Sequence, residues 1–479
     1  MSSSFAILVL HRDVFEIKFN SMSSAVSINP ATDTIIAEYS RLEEGKILQL
    51  IDKAHQRFLQ VRKLRFKERA VLLNEAAAIL EKQKALYARI ISEEMGKMYT
   101  AAVKEVEKCA WVLRYFAEQG EALLRNEVVS TNAKLSYITY NPLGVLLAIM
   151  PWNFPFYQAI RFAAPALMAG NTALLKHASN VQGCAQALEE LFLLAGFPEN
   201  SFTNLNISGA QVATVIKNKK VAAVTLTGSE STGREVAATA GGALKKCVME
   251  LGGSDACIIT DQVDLDKAVE FAVTARLQNN GETCIAAKRF IVLKKVYSQF
   301  TELFTAAMAE KKMGNPFDET NFIGPMARKD LRDQLHHQVL TTLQQGAQLK
   351  TGGYLPQGAG AYYPPTVLAG VRPGMTCFDE ETFGPVAAVV MAEDLEHAIE
   401  LANASQYGLG ASILTTDFLT GEQIAAERLE AGNCFVNHIV VSDPRLPFGG
   451  IKHSGFGREL SAYGIKEFVN IKTVWVDEW

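Results

Sequence analysis

Leu143-Gly144-Val145-Leu146-Leu147-Ala148-Ile149-Met150 is one apolar run of strand length, and it stops at Pro151-Trp152-Asn153-Phe154-Pro155. Further strand-like apolar runs follow at 172–175, 202–207, 222–227 and 247–251, with helical runs between them, clearest at 182–194. This alternation predicts a parallel sheet with right-handed crossovers, whose ligands sit at the carboxyl ends of its strands. From Ser254 to about Asn433 a second α/β unit follows. Ahead of the first sheet, 43–124 carries apolar residues at helical spacing (Leu48, Ile51, Ala54, Phe58; Val71, Leu72, Ala76, Ile79, Leu80) with charges between them and no proline. It therefore reads as several amphipathic helices. Lys134-Leu135-Ser136-Tyr137-Ile138-Thr139-Tyr140 alternates like an exposed strand. The tail at 467–476 is β-rich, and an unpaired edge of that length invites a neighbouring subunit.

A chain of 479 residues, 48% of them hydrophobic, has room for two or three domains with large cores. Lys+Arg 47 against Asp+Glu 51 leaves a net charge of −4, so no basic field would hold nucleic acid or an anionic membrane. The seven cysteines (Cys109, Cys184, Cys247, Cys257, Cys284, Cys377, Cys434) show neither CxxC nor Cys/His pairs at zinc-ligand spacing. That pattern argues against a disulfide framework and a structural metal, and suits a reducing compartment. Phe5-Ala6-Ile7-Leu8-Val9-Leu10 is short, lacks a basic segment before it, and is followed by Arg12, Asp13 and Glu16, so it is not read as a secretory signal. Residues 1–27 are read as an extension. No run approaches the ~18–20 apolar residues of a membrane-spanning helix, and the protein is expected in the cytoplasm.

Chemistry-bearing residues cluster at four places beside these runs. Gln278-Asn279-Asn280-Gly281-Glu282-Thr283-Cys284 sets a cysteine between a helical run at 264–277 and the strand-like Arg289-Phe290-Ile291-Val292-Leu293. Val248-Met249-Glu250-Leu251-Gly252-Gly253 ends a strand-like run on a carboxylate beside two glycines, which permit close approach of backbone or ligand. Asn153 stands between two prolines, and Pro447-Phe448-Gly449-Gly450-Ile451-Lys452-His453-Ser454-Gly455-Phe456-Gly457-Arg458-Glu459 is dense in glycine. A further glycine-bounded turn, Thr227-Gly228-Ser229-Glu230-Ser231-Thr232-Gly233-Arg234, offers backbone N–H groups suited to a phosphate, although it is neither GxGxxG nor a P-loop. Taken singly, Cys284 reads as a small buried hydrophobe, Glu250 as an ion-paired core carboxylate, and Gly228-Ser229 as an ordinary turn. Together, in this order and spacing from about Ile28 to Trp479, they resemble the aldehyde dehydrogenase superfamily.

The resemblance implies an α/β fold with two Rossmann-type parallel-sheet domains and a small protruding β oligomerisation element. The dinucleotide-binding domain would take 28–125 and 143–249, the catalytic domain 250–440, and the oligomerisation element 126–142 and 460–479, in a homodimer or homotetramer. It implies NAD or NADP as cofactor. Gly228 and Ser229 would lie at the pyrophosphate, Lys176 at the adenosine ribose, Glu381 and Phe383 of Phe378-Asp379-Glu380-Glu381-Thr382-Phe383-Gly384-Pro385 at the nicotinamide ribose and ring, with Trp152 and Leu251 alongside. Many NAD-preferring relatives carry a glutamate where this chain has Ser179, and the missing repulsion toward a 2′-phosphate implies that NADP is used as well.

In such a site Cys284 supplies the thiolate, and the Asn153 amide with the Cys284 backbone N–H would hold the oxyanion. Glu250 would activate water to hydrolyse the thioester, its pKa raised in a partly apolar pocket. No metal is required. Arg161, nine residues after Trp152 in an apolar helix, is either a salt-bridged interior arginine or, as in succinate-semialdehyde dehydrogenases, a partner of the substrate's distal carboxylate. Other such enzymes place a second arginine where this chain has Gln278, and Arg445 in Ser442-Asp443-Pro444-Arg445-Leu446-Pro447 is the expected substitute. The segments LKHASN, CVMELGGSDA, IGPMARKDLRDQLHHQV, GAYYPPTVLAGV and LPFGGIKHSGFGREL look most like a bacterial branch of those enzymes accepting NAD or NADP. The expected activity is oxidation of succinate semialdehyde to succinate. The alternatives are a hydrolytic dehydrogenase for another small aldehyde, and a cysteine-nucleophile hydrolase using His177, His438 or His453.

Overall fold

The computed structural model describes residues 24–479. The readings of the Phe5 to Leu10 run and of most of the 1–27 extension fall outside the described residues. The described chain opens on a strand, Ser24–Ile28, paired antiparallel with Ile35–Ser40, a hairpin that spans position 28.

Every side chain of Val145–Met150 is buried, as a strand covered on both faces requires. It lies centrally in a six-stranded sheet ordered Gly455–Phe456, Lys246–Glu250, Val221–Thr227, Val145–Met150, Thr172–His177, Phe202–Asn204. From Val145–Met150 the chain builds outward on one side, through Thr172–His177 to Phe202–Asn204, and then crosses back to add Val221–Thr227 on the other. The reversal leaves a crevice between the carboxyl ends of Val145–Met150 and Val221–Thr227. Pro151 to Asn153 follow one of those ends and Gly228-Ser229 the other. No strand is expected at 455–456, yet Gly455–Phe456 pairs antiparallel with Met249 and Glu250, carrying the glycine-rich segment back to the first sheet.

The second sheet runs Gln348–Thr351, Thr366–Ala369, Val386–Ala392, Arg289–Leu293, Ala256–Ile259, Gly410–Leu414, Asn433–Val436. It is parallel except for the edge strand Gln348–Thr351. The helix Leu265–Leu277 is capped by Asp264, whose side chain accepts from the N–H groups of Asp266 and Lys267. It leads through a tight turn to Cys284 and then to Arg289–Leu293. Helices Glu44–Val61, Phe66–Lys82, Lys84–Met95 and Tyr99–Leu123 fill the amphipathic region as the spacing predicts.

A third sheet joins Val469–Val476, Leu135–Pro142 and Glu127–Val128. The tail expected to be an unpaired edge is paired on one side, in continuous register from Val469 opposite Pro142 to Val476 opposite Leu135. Its other side is an outer edge, and Ile471, Trp475 and Val476 on it are exposed. No helix among the described residues is long and apolar enough to cross a membrane.

Candidate active site

Two cavities meet at Cys284. One is lined by Trp152, Asn153, Thr227, Gly228, Ser229, Leu251, Gly252, Glu381 and Phe383. The other, of about 230 Å³, is lined by Lys104, Lys108, Tyr157, Arg161, Ser442 and Phe448 among others. Gln158 and Cys284 border both.

The turn before Cys284 owes its shape to three residues in the left-handed region, Asn279 (φ 52°), Asn280 (φ 58°) and Gly281 (φ 78°). Asparagine tolerates this conformation and glycine prefers it. A Cβ on Gly281 would also overlap the backbone of Gly384, so this glycine lets the cysteine turn pack against the Phe383-Gly384-Pro385 segment. Gly252 does the same from the other side, since a Cβ there would strike the Glu381 carboxylate. The two sheets thereby converge on one crevice. Glu381 accepts from the Gly253 N–H at 3.0 Å and lies 3.5 Å from the Lys288 ammonium. Lys288, fully buried, donates to the carbonyls of Thr283 (3.0 Å) and Cys284. No sequence motif singled out Lys288, which ties the cysteine turn to Glu381.

Asn153 is buried and donates its amide N–H to the Glu282 carbonyl at 3.1 Å, while Asn279 donates to the Asn153 carbonyl at 2.9 Å. An amide carries two N–H donors, so one remains beside Cys284. Trp152 and Phe383 meet edge to face with ring centroids 5.7 Å apart. Ser229 is the N-cap of helix Glu230–Gly242, accepting from the Thr232 N–H. The end of that helix faces the first cavity with the partial positive charge that attracts anions. Thr227 Oγ1 is buried on the same wall without a hydrogen-bond partner among the described residues. Lys176 and Ser179 lie outside the lined cavity, at and just past the end of Thr172–His177. Burial, and then Arg41 nearby, holds the Lys176 pKa below its usual value. Two cations thus stand close together at the end of that strand, and no sequence motif singles out Arg41.

Burial pushes the Cys284 thiol up to about 12, against the pull of Lys288 and Arg161. Resting Cys284 is therefore a thiol that needs a base. Glu250 ends Lys246–Glu250 with both carboxylate oxygens buried and unpartnered. Burial, with the Glu459 carboxylate beside it, holds its pKa well above the usual carboxylate range, and Arg161 and Arg458 only partly offset this. The carboxylate lies against Gly449, where a Cβ would come within 2.8 Å of Oε1. It lines neither cavity.

Arg161 and Arg445 are placed very differently. Arg161 is 2% exposed, lines the second cavity, and is ion-paired with buried Glu459. Its guanidinium also lies over the rings of Phe448 (4.7 Å) and Tyr157 (5.7 Å). The first sequence reading holds, since it is a salt-bridged interior arginine, and its side chain forms part of the cavity wall. Arg445 departs from expectation. Its side chain is 68% exposed and forms a two-pronged pair with Asp443, Nε at 2.9 Å and Nη2 at 2.6 Å. A carboxylate two residues away captures it in solvent, where its charge is cheaply hydrated, and it does not line the cavity.

The cations that do line it, besides Arg161, are Lys97, Lys104 and Lys108. Lys97 is buried in an ion pair with Glu105. Glu105 in turn accepts from the N–H groups of Phe156 (2.9 Å) and Tyr157 (3.0 Å), satisfying donors that open helix Tyr157–Ala169 and so setting the helix that carries Arg161. A signal was present: Glu105 falls among the buried positions Ala102, Val106 and Cys109 of helix Tyr99–Leu123. The histidines weighed for a hydrolase stand elsewhere. His177 is held between the carbonyls of Met150 and Pro155, its pKa lowered to about 4 by burial. His438 lies at the Ile439 carbonyl, and His453 near Glu230.

The aldehyde dehydrogenase family profile matches residues 18–474. The chain is 50% identical over 453 residues to an NAD(P)+ succinate semialdehyde dehydrogenase of Escherichia coli K12, covering 95% of this chain and 98% of that one. It is 47% identical over 450 residues to a probable NADP+ succinate-semialdehyde dehydrogenase of Synechocystis, covering 94% and 99%. Among solved structures, the succinic semialdehyde dehydrogenase of Streptococcus pyogenes in complex with NADP+ matches with a TM-score of 0.93 at 38% identity, over 95% of this chain and all of that one.

Proposed function

The chain belongs to the aldehyde dehydrogenase family, and on that premise we propose that it oxidises succinate semialdehyde to succinate with NAD+ or NADP+. The observation that carries this is the meeting at Cys284 of two cavities, one with the walls of a dinucleotide site and one with cationic walls. The residues of the first fit the cofactor: Gly252 lets the Glu381 carboxylate pack close on the cavity wall, helix Glu230–Gly242 presents its N-terminus, and Thr227 Oγ1 is an unmet polar atom on the wall. Glu381 would hold the nicotinamide ribose, Phe383, Leu251 and Trp152 would flank the ring, Gly228 and Ser229 the pyrophosphate, and Lys176 and Ser179 the adenosine ribose. When bound, the cofactor accepts the hydride.

The chain's own residues do the rest. Cys284 gives its proton to Glu250 turned toward it, which passes it to solvent, and the thiolate attacks the aldehyde carbon, so that the oxygen gains the negative charge without which hydride cannot leave. The free amide N–H of Asn153 and the backbone N–H of Cys284 hold that oxygen, at ~3 kcal/mol per donor. Loss of hydride leaves a thioester on Cys284. Glu250, turned into the cavity and there ionised by better solvation, takes a proton from water to release the acid. Arg161 supplies positive potential toward a distal carboxylate. An oligomer formed through the open edge of Val469–Val476, and residence in the cytoplasm, complete the reading.

The test is a panel of aldehydes with and without a terminal carboxylate, each offered with NAD+ and NADP+ while reduced cofactor is followed. Formation of NAD(P)H favouring succinate semialdehyde over butanal is expected. Thioester hydrolysis without dinucleotide, and no reduction with any aldehyde, would instead establish a cysteine hydrolase.

A further inference from the structure

We propose that Lys108 is the second cation of the substrate site and binds the distal carboxylate of the aldehyde. This rests on the function proposed above and names the group that recognises the substrate's far end. Lys108 lines the same cavity as Cys284 and Arg161. Arg161 is paired with Glu459, Lys97 with Glu105, and Arg445 with Asp443. Lys104 is exposed, and Lys108 is the half-buried cation of this wall that has no carboxylate partner among the described residues. Its ammonium donates to Ser442 Oγ at 2.9 Å and lies 4.5 Å over the Tyr157 ring. Ser442 Oγ is itself 2.8 Å from the Tyr157 hydroxyl. An ammonium has three donors, so two remain beside a pair of hydroxyls, which is a donor set for an anionic carboxylate. Apolar walls from Phe154, Ile285, Val440 and Phe448 suit the methylenes between the two ends of a short semialdehyde.

The cavity also makes Lys108 responsive to pH. Burial, and then the charge of Arg161, lower its pKa to about 8, and an arriving carboxylate restores the missing counter-charge. The charged and titratable groups facing it are Glu105 and Cys109 on its own helix, Tyr157 and Arg161 on helix Tyr157–Ala169, and Asp443 beside Ser442. Tyr157 and Cys109 are pushed upward by burial, while Asp443 is lowered by its bond to Arg445. Lys108 is therefore the group of this set that changes charge just above neutrality.

The experiment measures kcat/KM for succinate semialdehyde and butanal in the wild type, Lys108→Met and Lys108→Arg, from pH ~7 to ~10. Taking the ratio of the two substrates cancels Cys284 and Glu250, which both share. Lys108→Met should reduce the ratio about tenfold or more, chiefly through KM, and Lys108→Arg should recover part of it. In the wild type the ratio should fall as pH rises past about 8, and in Lys108→Arg it should hold to higher pH. A Met variant that keeps the wild-type ratio overturns the proposal. So does a wild-type ratio that stays flat across the range, which tests the idea even if the variants fail to fold. A wild type that does not prefer succinate semialdehyde overturns the substrate reading itself, a different failure.

Discussion

Replacing Arg161 by leucine tests whether its first duty is to hold two buried carboxylates in place. Arg161, Glu459 and Glu250 are 2%, 4% and 2% exposed. Removing one partner of a buried ion pair costs about 3–5 kcal/mol, because the other charge is left without compensation. The loss should depend on pH. Burial holds Glu459 and Glu250 above the usual carboxylate range, and Arg161 is the cation that pulls both back down. A carboxyl with a raised folded pKa keeps a proton that the unfolded chain releases above ~4.3, so stability is lost as pH rises from there to the folded pKa. Without Arg161 the folded values climb and that window lengthens. The deficit of Arg161→Leu should therefore be small near pH ~5 and grow toward pH ~8, by at most ~1.4 kcal/mol per pH unit for each carboxyl. Urea unfolding midpoints at the two pH values measure it. Arg161→Leu with Glu459→Leu should recover much of the loss, since an apolar pair can replace a buried ion pair with little penalty. Equal deficits at both pH values, or a double variant no more stable than the single one, would refute the reasoning.

Glu250→Gln should give a first-turnover burst of NAD(P)H followed by slow turnover, because acylation and hydride loss precede the water step; a wild-type steady-state rate would remove Glu250 as the base. Ser179→Glu should lower use of NADP+ far more than use of NAD+, by placing a carboxylate against the 2′-phosphate, and equal losses would show that Ser179 does not face the ribose. Gly281→Ala combines a positive φ with overlap onto Gly384, so it should destabilise by at least ~1–2 kcal/mol and lower kcat by shifting Cys284. A variant with wild-type melting temperature and kcat would show that the turn has room to relax.

Sequence alone determined what local pattern and short motifs carry. The parallel sheet was legible because strands such as Val145–Met150 are apolar throughout and alternate with helical periodicity, and helix Gln182–Leu194 was legible to its ends. Cys284, Glu250, Asn153 and Glu381 could be named as candidates because the short motifs around them, taken together in order and spacing, resemble one family. Strand Gly455–Phe456 was not, because two residues have no period to read and it exists only through pairing with Lys246–Glu250. The partners of charged side chains were also closed to sequence. Arg445 and Lys108 are both cations near apolar residues, yet Asp443 holds one in solvent while the fold carries the other beside Ser442 and Arg161. Glu459 and Glu250 lie far apart in sequence and together in space, and the Glu459 carboxylate raises the pKa of Glu250. Such assignments depend on distance and desolvation, which are properties of packing across elements, and only the tertiary structure decides them.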